Sequence, residues 1–287
     1  MQAVKDDSPS RTAYGVAMSR AAHQIFDLPR VFEDPTALTI LGPKITGGIR
    51  AAQRRFNSRY ARYLRAFLVA RSRLAEEALA EAVARGVRQY VLLGAGLDTF
   101  AYRNPHATGG LRVFEVDHPA TQEWKRQLVS HARLKSQGSL VYVPVNFERE
   151  LLAQRLLANG FQPEEPAFFS WLGVTMYLTQ DAIQETLRFV AQSKVSRSGI
   201  IFDYLTLPPR WNYLRRWGLK LLMRRVAAAG EPWRTFFDPA VLQADLTRLG
   251  FATVRDLGRE EINARFFDNA GARLRVGGTG RVVLARI

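Results

Sequence analysis

No cysteine occurs among the 287 residues, which removes disulfides, thiolate metal sites and cysteine nucleophiles together. That absence is also compatible with a cytoplasmic protein, the location we expect. No run approaches the roughly 18 apolar residues that cross a bilayer, and the start, MQAVKDDSPSR, lacks a signal-peptide core. Histidine is scarce: His23, His106, His118 and His131 are the only four. With no histidine cluster and no carboxylate pair at ligand spacing, no metal is expected. Acidic residues are missing over a whole stretch, since Lys44 to Arg73 holds nine Lys or Arg and no Asp or Glu. A second basic stretch, Arg210 to Arg225, mixes arginine with tryptophan and leucine, and the net charge is +15. Such fields attract acidic partners, yet no recognisable nucleic-acid module accompanies them, so a solvated arginine-rich surface explains them equally well.

What is present reads as one large α/β domain. Hydrophobic residues make up 47% of the chain, enough for a sizeable core. Five short apolar runs, Gln89–Leu93, Arg112–Val116, Leu140–Val143, Ala167–Trp171 and Gly199–Tyr204, alternate with helical patterns, the signature of a doubly wound parallel sheet. Runs near Ala252–Leu257 and Arg281–Ile287 would bring the sheet to seven strands. We divide the single domain into a helical cap (1–86), a core (87–204), a helical insertion between the fifth and sixth strands (205–240) and C-terminal strands (241–287). The insertion and residues 1–50 are expected to act as a lid. In the cap, Tyr60, Leu64, Phe67, Leu74 and Ala78 recur at helical spacing. Arg71 falls in phase with that stripe, so it needs an anion, either a ligand carboxylate or an Asp or Glu of the chain.

The chemistry centres on Gln89 to Tyr102, QYVLLGAGLDTFAY. Gly94-Ala95-Gly96 after a buried strand allows a tight turn and close approach to a ligand. A dinucleotide fingerprint would place its third glycine where Thr99 stands. Asp98 would also repel a pyrophosphate at the following helix. S-adenosylmethionine (SAM) has no phosphate, so neither departure counts against it. Asp117 ends the second strand, twenty-one residues beyond Gly96, where a carboxylate can accept hydrogen bonds from both ribose hydroxyls; the alternative is a helix cap. His118 is expected beside the adenine. At the third strand's end Asn146 can offer its amide to the adenine edge or cap a helix, and Phe147 can line the base pocket. Ser170, Trp171 and the aromatic-rich segment to Leu178 are expected beside the methyl donor, with core packing the alternative for Trp171.

These residues resemble the leucine carboxyl methyltransferase family, in its bacterial SAM-dependent branch. The resemblance runs through Thr12 to Ala21, Val31 to Pro35, Ala70 to Arg73, Leu93 to Thr99, Phe114 to Pro119, Val143 to Val145 and Gly173 to Leu178. It implies a class I methyltransferase fold, Rossmann-like, with the last strand antiparallel. It implies that Arg71 binds the SAM carboxylate, that Gly94 and Gly96 line the methionine, and that Asp117 holds the ribose. Asn146 and Phe147 match the family's adenine-side pair, in which aspartate is usual at the first position, and Ser170 stands where the family commonly has an acid.

The expected activity is SAM-dependent O-methylation of a carboxylate or hydroxyl on a small metabolite or peptide. A carboxylate needs no general base, only a group to orient it, for which Tyr177, Tyr204, Arg20 and Arg103 are the candidates. Two alternatives stay open: an NAD-dependent oxidoreductase, and an RNA-binding protein or RNA methyltransferase using the basic segments.

Overall fold

The computed structural model describes residues 10–147, 149–192, 197–208, 213, 217–220, 223–224, 232–268 and 274–287. Its centre is a seven-stranded sheet in the order β3-β2-β1-β4-β5-β7-β6. The strands are β1 (Gln89–Leu93), β2 (Arg112–Asp117), β3 (Leu140–Pro144), β4 (Ala167–Trp171), β5 (Gly199–Leu205), β6 (Thr253–Leu257) and β7 (Gly280–Arg286). All neighbours pair in parallel except β7, which runs antiparallel to β5 and β6. This is the class I methyltransferase arrangement expected from the sequence. β1 and β4 are buried along their whole length, which is why they read as continuous apolar runs rather than alternating ones.

Strand alternation divides the core into two layers. Tyr90, Leu92, Phe168 and Ile201 face one side of the sheet, and Val91, Phe169, Trp171, Phe202 and Tyr204 face the other. The first layer is covered by α4 (Arg59–Ala84), an alanine-rich helix started by Ser58, whose hydroxyl accepts from the Ala61 N–H. Its buried face begins at Arg65 and includes Phe67, Ala70, Leu74, Ala78 and Ala82. The expected stripe is corrected at its start: Tyr60 is 57% exposed and Leu64 41% exposed, because the first turns of α4 run past the edge of the core. The opposite layer is covered in part by α7 (Gln180–Gln192), through Ile183, Leu187 and Val190. Thr179 caps that helix through its hydroxyl, which accepts from the Ala182 N–H.

Two further helices, α1 (Arg11–Phe26) and α2 (Thr36–Ala51), pack on each other through a small cluster that includes Ala17, Ala21, Ile40, Ile49 and Leu97. Ser10 ties the start of α1 to the sheet domain, its N–H donating to the Thr121 hydroxyl at 3.2 Å. Most of the basic segment Arg210 to Arg225 lies outside the described residues, so its expected lid role is not addressed by them. Among the described residues, no helix is long and apolar enough to cross a membrane.

Candidate active site

A cavity of about 330 Å³ opens at the carboxyl ends of β1, β2, β3 and β4, where open α/β sheets place their ligands. Its floor is the turn after β1. Gly94 takes φ +67°, a left-handed conformation that a Cβ would strain. A Cβ there would also stand 2.3 Å from the Val174 side chain. The turn is held by β2: the N–H groups of Gly94 and Ala95 both reach the Val116 carbonyl, at 2.8 and 3.0 Å.

Asp117 completes the turn. Its carboxylate accepts from the Gly96 N–H at 2.5 Å and from the His118 N–H at 2.6 Å. It therefore does not cap the following helix, α5 (Pro119–His131); the His118 ring does so, accepting from the Ala120 N–H at 3.3 Å. Burial raises the Asp117 pKa above the usual carboxylate value, opposed by those two N–H groups.

On another wall of the cavity stands Arg71. Its Nη1 donates to Asp203 at 2.6 Å, and Asp203 also accepts from the Gly173 N–H at 2.5 Å. Of the two readings of Arg71, the structure shows the internal carboxylate, and the same side chain lines the cavity. Gly173 has φ +78°, and a Cβ on it would lie 2.8 Å from Arg71 Nη2. Only glycine lets the guanidinium rest on that backbone.

Arg20 also reaches the wall, pairing with Asp34 at 2.7 Å and Asp98 at 2.6 Å. Burial alone would raise the Asp98 pKa, but the charges of Arg20, Lys125 and Arg103 outweigh it and hold Asp98 at about 2. A carboxylate depressed in this way stabilises the fold fully above its ordinary value of 3.8 and loses that contribution as pH falls through about 2. Asp98→Asn is therefore expected to lower the urea midpoint at neutral pH, with the gap to wild type narrowing on acidification. A gap that stays constant from about pH 5 to about pH 2 would contradict this account.

The remaining expected residues divide between cavity and core. His118, Asn146, Phe147, Ser170 and Tyr177 line the cavity. Asn146 is not the cap of α6 (Leu152–Ala158), which starts six residues on, behind Leu151; its carbonyl accepts from the N–H groups of Arg149 and Glu150. Trp171 was expected beside the donor and is instead fully buried in the opposite layer, 6.4 Å from the Phe202 ring, because alternation sends it and Ser170 to opposite faces. Tyr204 is corrected for the same reason. It is fully buried, and its hydroxyl donates to Asp256 at 2.8 Å, away from the cavity. Arg103 is corrected as well: it does not line the cavity but grips Glu76 through both terminal nitrogens and Asp34 through Nε.

Sequence reasoning missed Asp203 and Arg234. Asp203 had a visible signal, a lone charge inside the apolar run GIIFDYL. Arg234 had none, since it lies in a stretch without periodicity; it lines the cavity beside Pro232. In order across the sheet the cavity offers a cation (Arg71), a carboxylate (Asp117), and an amide with an aromatic ring (Asn146, Phe147). That donor set fits a ligand bearing a carboxylate, a diol and a purine, as SAM does.

The sequence profile of the leucine carboxyl methyltransferase family matches residues 13–191. YktD of Bacillus subtilis, provisionally named as a SAM-dependent methyltransferase, is 31% identical over 93% of this chain and 94% of its own length. A Frankia alni protein with the same provisional function is 36% identical over 62% of this chain and 63% of its own. Among solved structures, a DUF574 family protein from Streptomyces avermitilis superposes with a TM-score of 0.58 over 99% of both chains, at 14% identity. A Thermobifida fusca structure provisionally titled as a methyltransferase reaches 0.56 over 99% of this chain and 96% of its own, also at 14% identity. At that identity the structural likeness bears on the fold.

Proposed function

We propose an acceptor from one premise: this chain belongs to the leucine carboxyl methyltransferase family and is a SAM-dependent methyltransferase. That premise sets aside the dinucleotide oxidoreductase alternative. On our reading the methyl group goes to a carboxylate oxygen of a small molecule or peptide.

In the donor half, Arg71 would meet the methionine carboxylate and the turn Gly94 to Gly96 the methionine chain, with Ser170 alongside. Asp117 would take the ribose hydroxyls, and His118, Asn146 and Phe147 the adenine. SAM supplies an electrophilic methyl group bound to a positively charged sulfur. The acceptor oxygen forms its bond to the methyl carbon as the carbon–sulfur bond breaks, with sulfur keeping the electron pair. The protein's contribution is to align the two partners and exclude water.

The observation that carries the carboxylate reading is the chemistry of the walls left over once the donor is seated. These come from α1 and the residue before it (Ser10, Thr12, Ala13, Val16, Ala17, Arg20), from Gly173, Val174, Tyr177 and Leu178, from the pair Pro232 and Arg234, and from Glu76 and Asp98. The two carboxylates that line the cavity outside the donor half are committed to ion pairs, Glu76 with Arg103 and Asp98 with Arg20, so neither stands there as an ordinary general base. A hydroxyl acceptor would benefit from one, whereas a carboxylate, with a pKa near ~4, is already ionised and releases no proton. Labelled SAM and a panel of acids and alcohols test this directly. The expected product is a base-labile ester; a base-stable ether would overturn the reading.

A further inference from the structure

From Pro35 to Ala75 the chain holds no acidic residue, and its cations fall into two groups. Arg65 and Arg71 are buried and paired with aspartates of the fold. Lys44, Arg50, Arg54 and Arg55 are exposed and Arg62 is half-buried, and none of these five meets a carboxylate among the described residues. Arg59 leans on Tyr63, bonding its hydroxyl at 2.9 Å. These six cations follow one another along α2, the short α3 (Gln53–Phe56) and the start of α4.

The insertion after β5 brings a second set alongside. Leu219 lines a second cavity together with Arg59 and Tyr63, which places the insertion beside the start of α4. Tyr213 and Trp217 are 79% and 69% exposed, and Lys220 and Arg224 are exposed with them. The four stand at spacings of four, three and four residues, the spacing of one helix face. Leu64 on α4 and Leu207 at the root of the insertion are exposed as well. The far end of the insertion is fixed to the methyltransferase cavity. There the Arg234 N–H donates to the Met176 carbonyl at 2.7 Å, and the Thr235 N–H reaches the same oxygen at 3.3 Å. The Thr235 hydroxyl adds a bond to the Leu178 carbonyl at 2.6 Å, which stitches the insertion to the turn that carries Tyr177.

We infer that the surface made by α3, the start of α4 and the insertion docks on an anionic lipid membrane. The phosphates and carboxylates of such a surface supply the counter-charge that the chain withholds from Arg54, Arg55 and Arg62. Tryptophan and tyrosine carry an apolar ring with a polar tip, and the headgroup layer takes both parts at once. Lys220 and Arg224 can lay their stems along the same layer and keep their charged ends at the phosphates. The net charge of +15 adds attraction at longer range. A nucleic acid would answer the cations and stack on the rings, but it offers nothing to the aliphatic Leu64 and Leu207. Docking of this kind lies in the interface and needs no spanning helix.

The test sediments the full chain with vesicles of phosphatidylcholine alone, or of phosphatidylcholine and phosphatidylserine in equal parts. We expect binding to the mixed vesicles that weakens as salt is added, and little binding to the neutral ones. Each cation near such a surface contributes about fivefold in affinity, so Arg54→Gln/Arg55→Gln should weaken binding roughly 25-fold. Tryptophan fluorescence should shift to the blue on binding as Trp217 leaves water, and Trp217→Ala should lose most of that shift. Both variants should keep the urea midpoint and the SAM affinity of the wild type, since these side chains are exposed and lie outside the methyltransferase cavity. Equal binding to both kinds of vesicle, binding to neither, or an unchanged affinity in Arg54→Gln/Arg55→Gln would overturn the proposal. Binding of a uridine oligomer without binding of the mixed vesicles would overturn it too, and would put RNA on this face instead.

Discussion

Asp203→Ala is expected to destabilise the protein by about 3–5 kcal/mol, the usual cost of stripping one partner from a buried ion pair. Asp203 is fully buried and meets Arg71, itself only 5% exposed, at 2.6 Å. The same carboxylate accepts the Gly173 N–H, so its removal leaves a cation and a backbone donor without their partner at once. Near Arg71 the Phe67 ring stands 5.8 Å from the guanidinium carbon, a weak contact that cannot replace a carboxylate. Urea denaturation measures the effect. The double variant Asp203→Ala/Arg71→Met should lose less than the sum of the two single changes, since the stranded charge goes with Arg71. An unchanged midpoint for Asp203→Ala would mean that water in the cavity already satisfies Arg71. Weaker SAM binding should accompany the loss, because Asp203 fixes the direction in which Arg71 points.

Asp117→Ala should weaken SAM binding by roughly 1.5–3 kcal/mol, or about 10–150-fold, the range for hydrogen bonds to a charged group. Both carboxylate oxygens are oriented by backbone N–H groups, from Gly96 and His118, and each retains lone pairs for a ribose hydroxyl. Burial raises its pKa, so the ionised form that accepts two hydroxyls is lost on acidification earlier than for an exposed aspartate. SAM affinity should thus fall with decreasing pH in the wild type and be flatter in the variant. Calorimetry on the folded variant decides the matter: an affinity equal to that of the wild type would remove Asp117 from the donor site.

Much of the frame was legible because its signals are local. Each parallel strand is a short apolar run, and the turn after β1 announces itself through Gly94 and Gly96. The errors arose where a side chain's direction or a distant partner mattered. Ser170 and Trp171 are neighbours in sequence, and a shift of one residue separates a cavity wall from the opposite core layer. Tyr204 fails on the same parity, while Asp203 beside it points to the cavity side. Arg103 is drawn off by Glu76, twenty-seven residues earlier, a pairing that no local pattern encodes. Tyr60 and Leu64 follow the helical period, but periodicity does not say where the sheet beneath the helix ends. Arg71 was the informative conflict: a charge on an apolar stripe demanded an anion, and the anion lay 132 residues away on β5.

The stitching of Arg234 and Thr235 to the carbonyls of Met176 and Leu178 has a consequence for how such a protein diversifies. The groups proposed to bind the donor sit on α4 and on the ends of β1 to β4, while the Arg234 wall arrives from an insertion anchored by backbone bonds. The two N–H bonds to the Met176 carbonyl are indifferent to most side chains, whereas the bond to the Leu178 carbonyl needs the Thr235 hydroxyl. Substitutions at position 234 that spare Thr235 can therefore accumulate without disturbing the groups proposed to bind the donor. One half of the reaction is thereby kept as inheritance, and the other is left open to drift and selection.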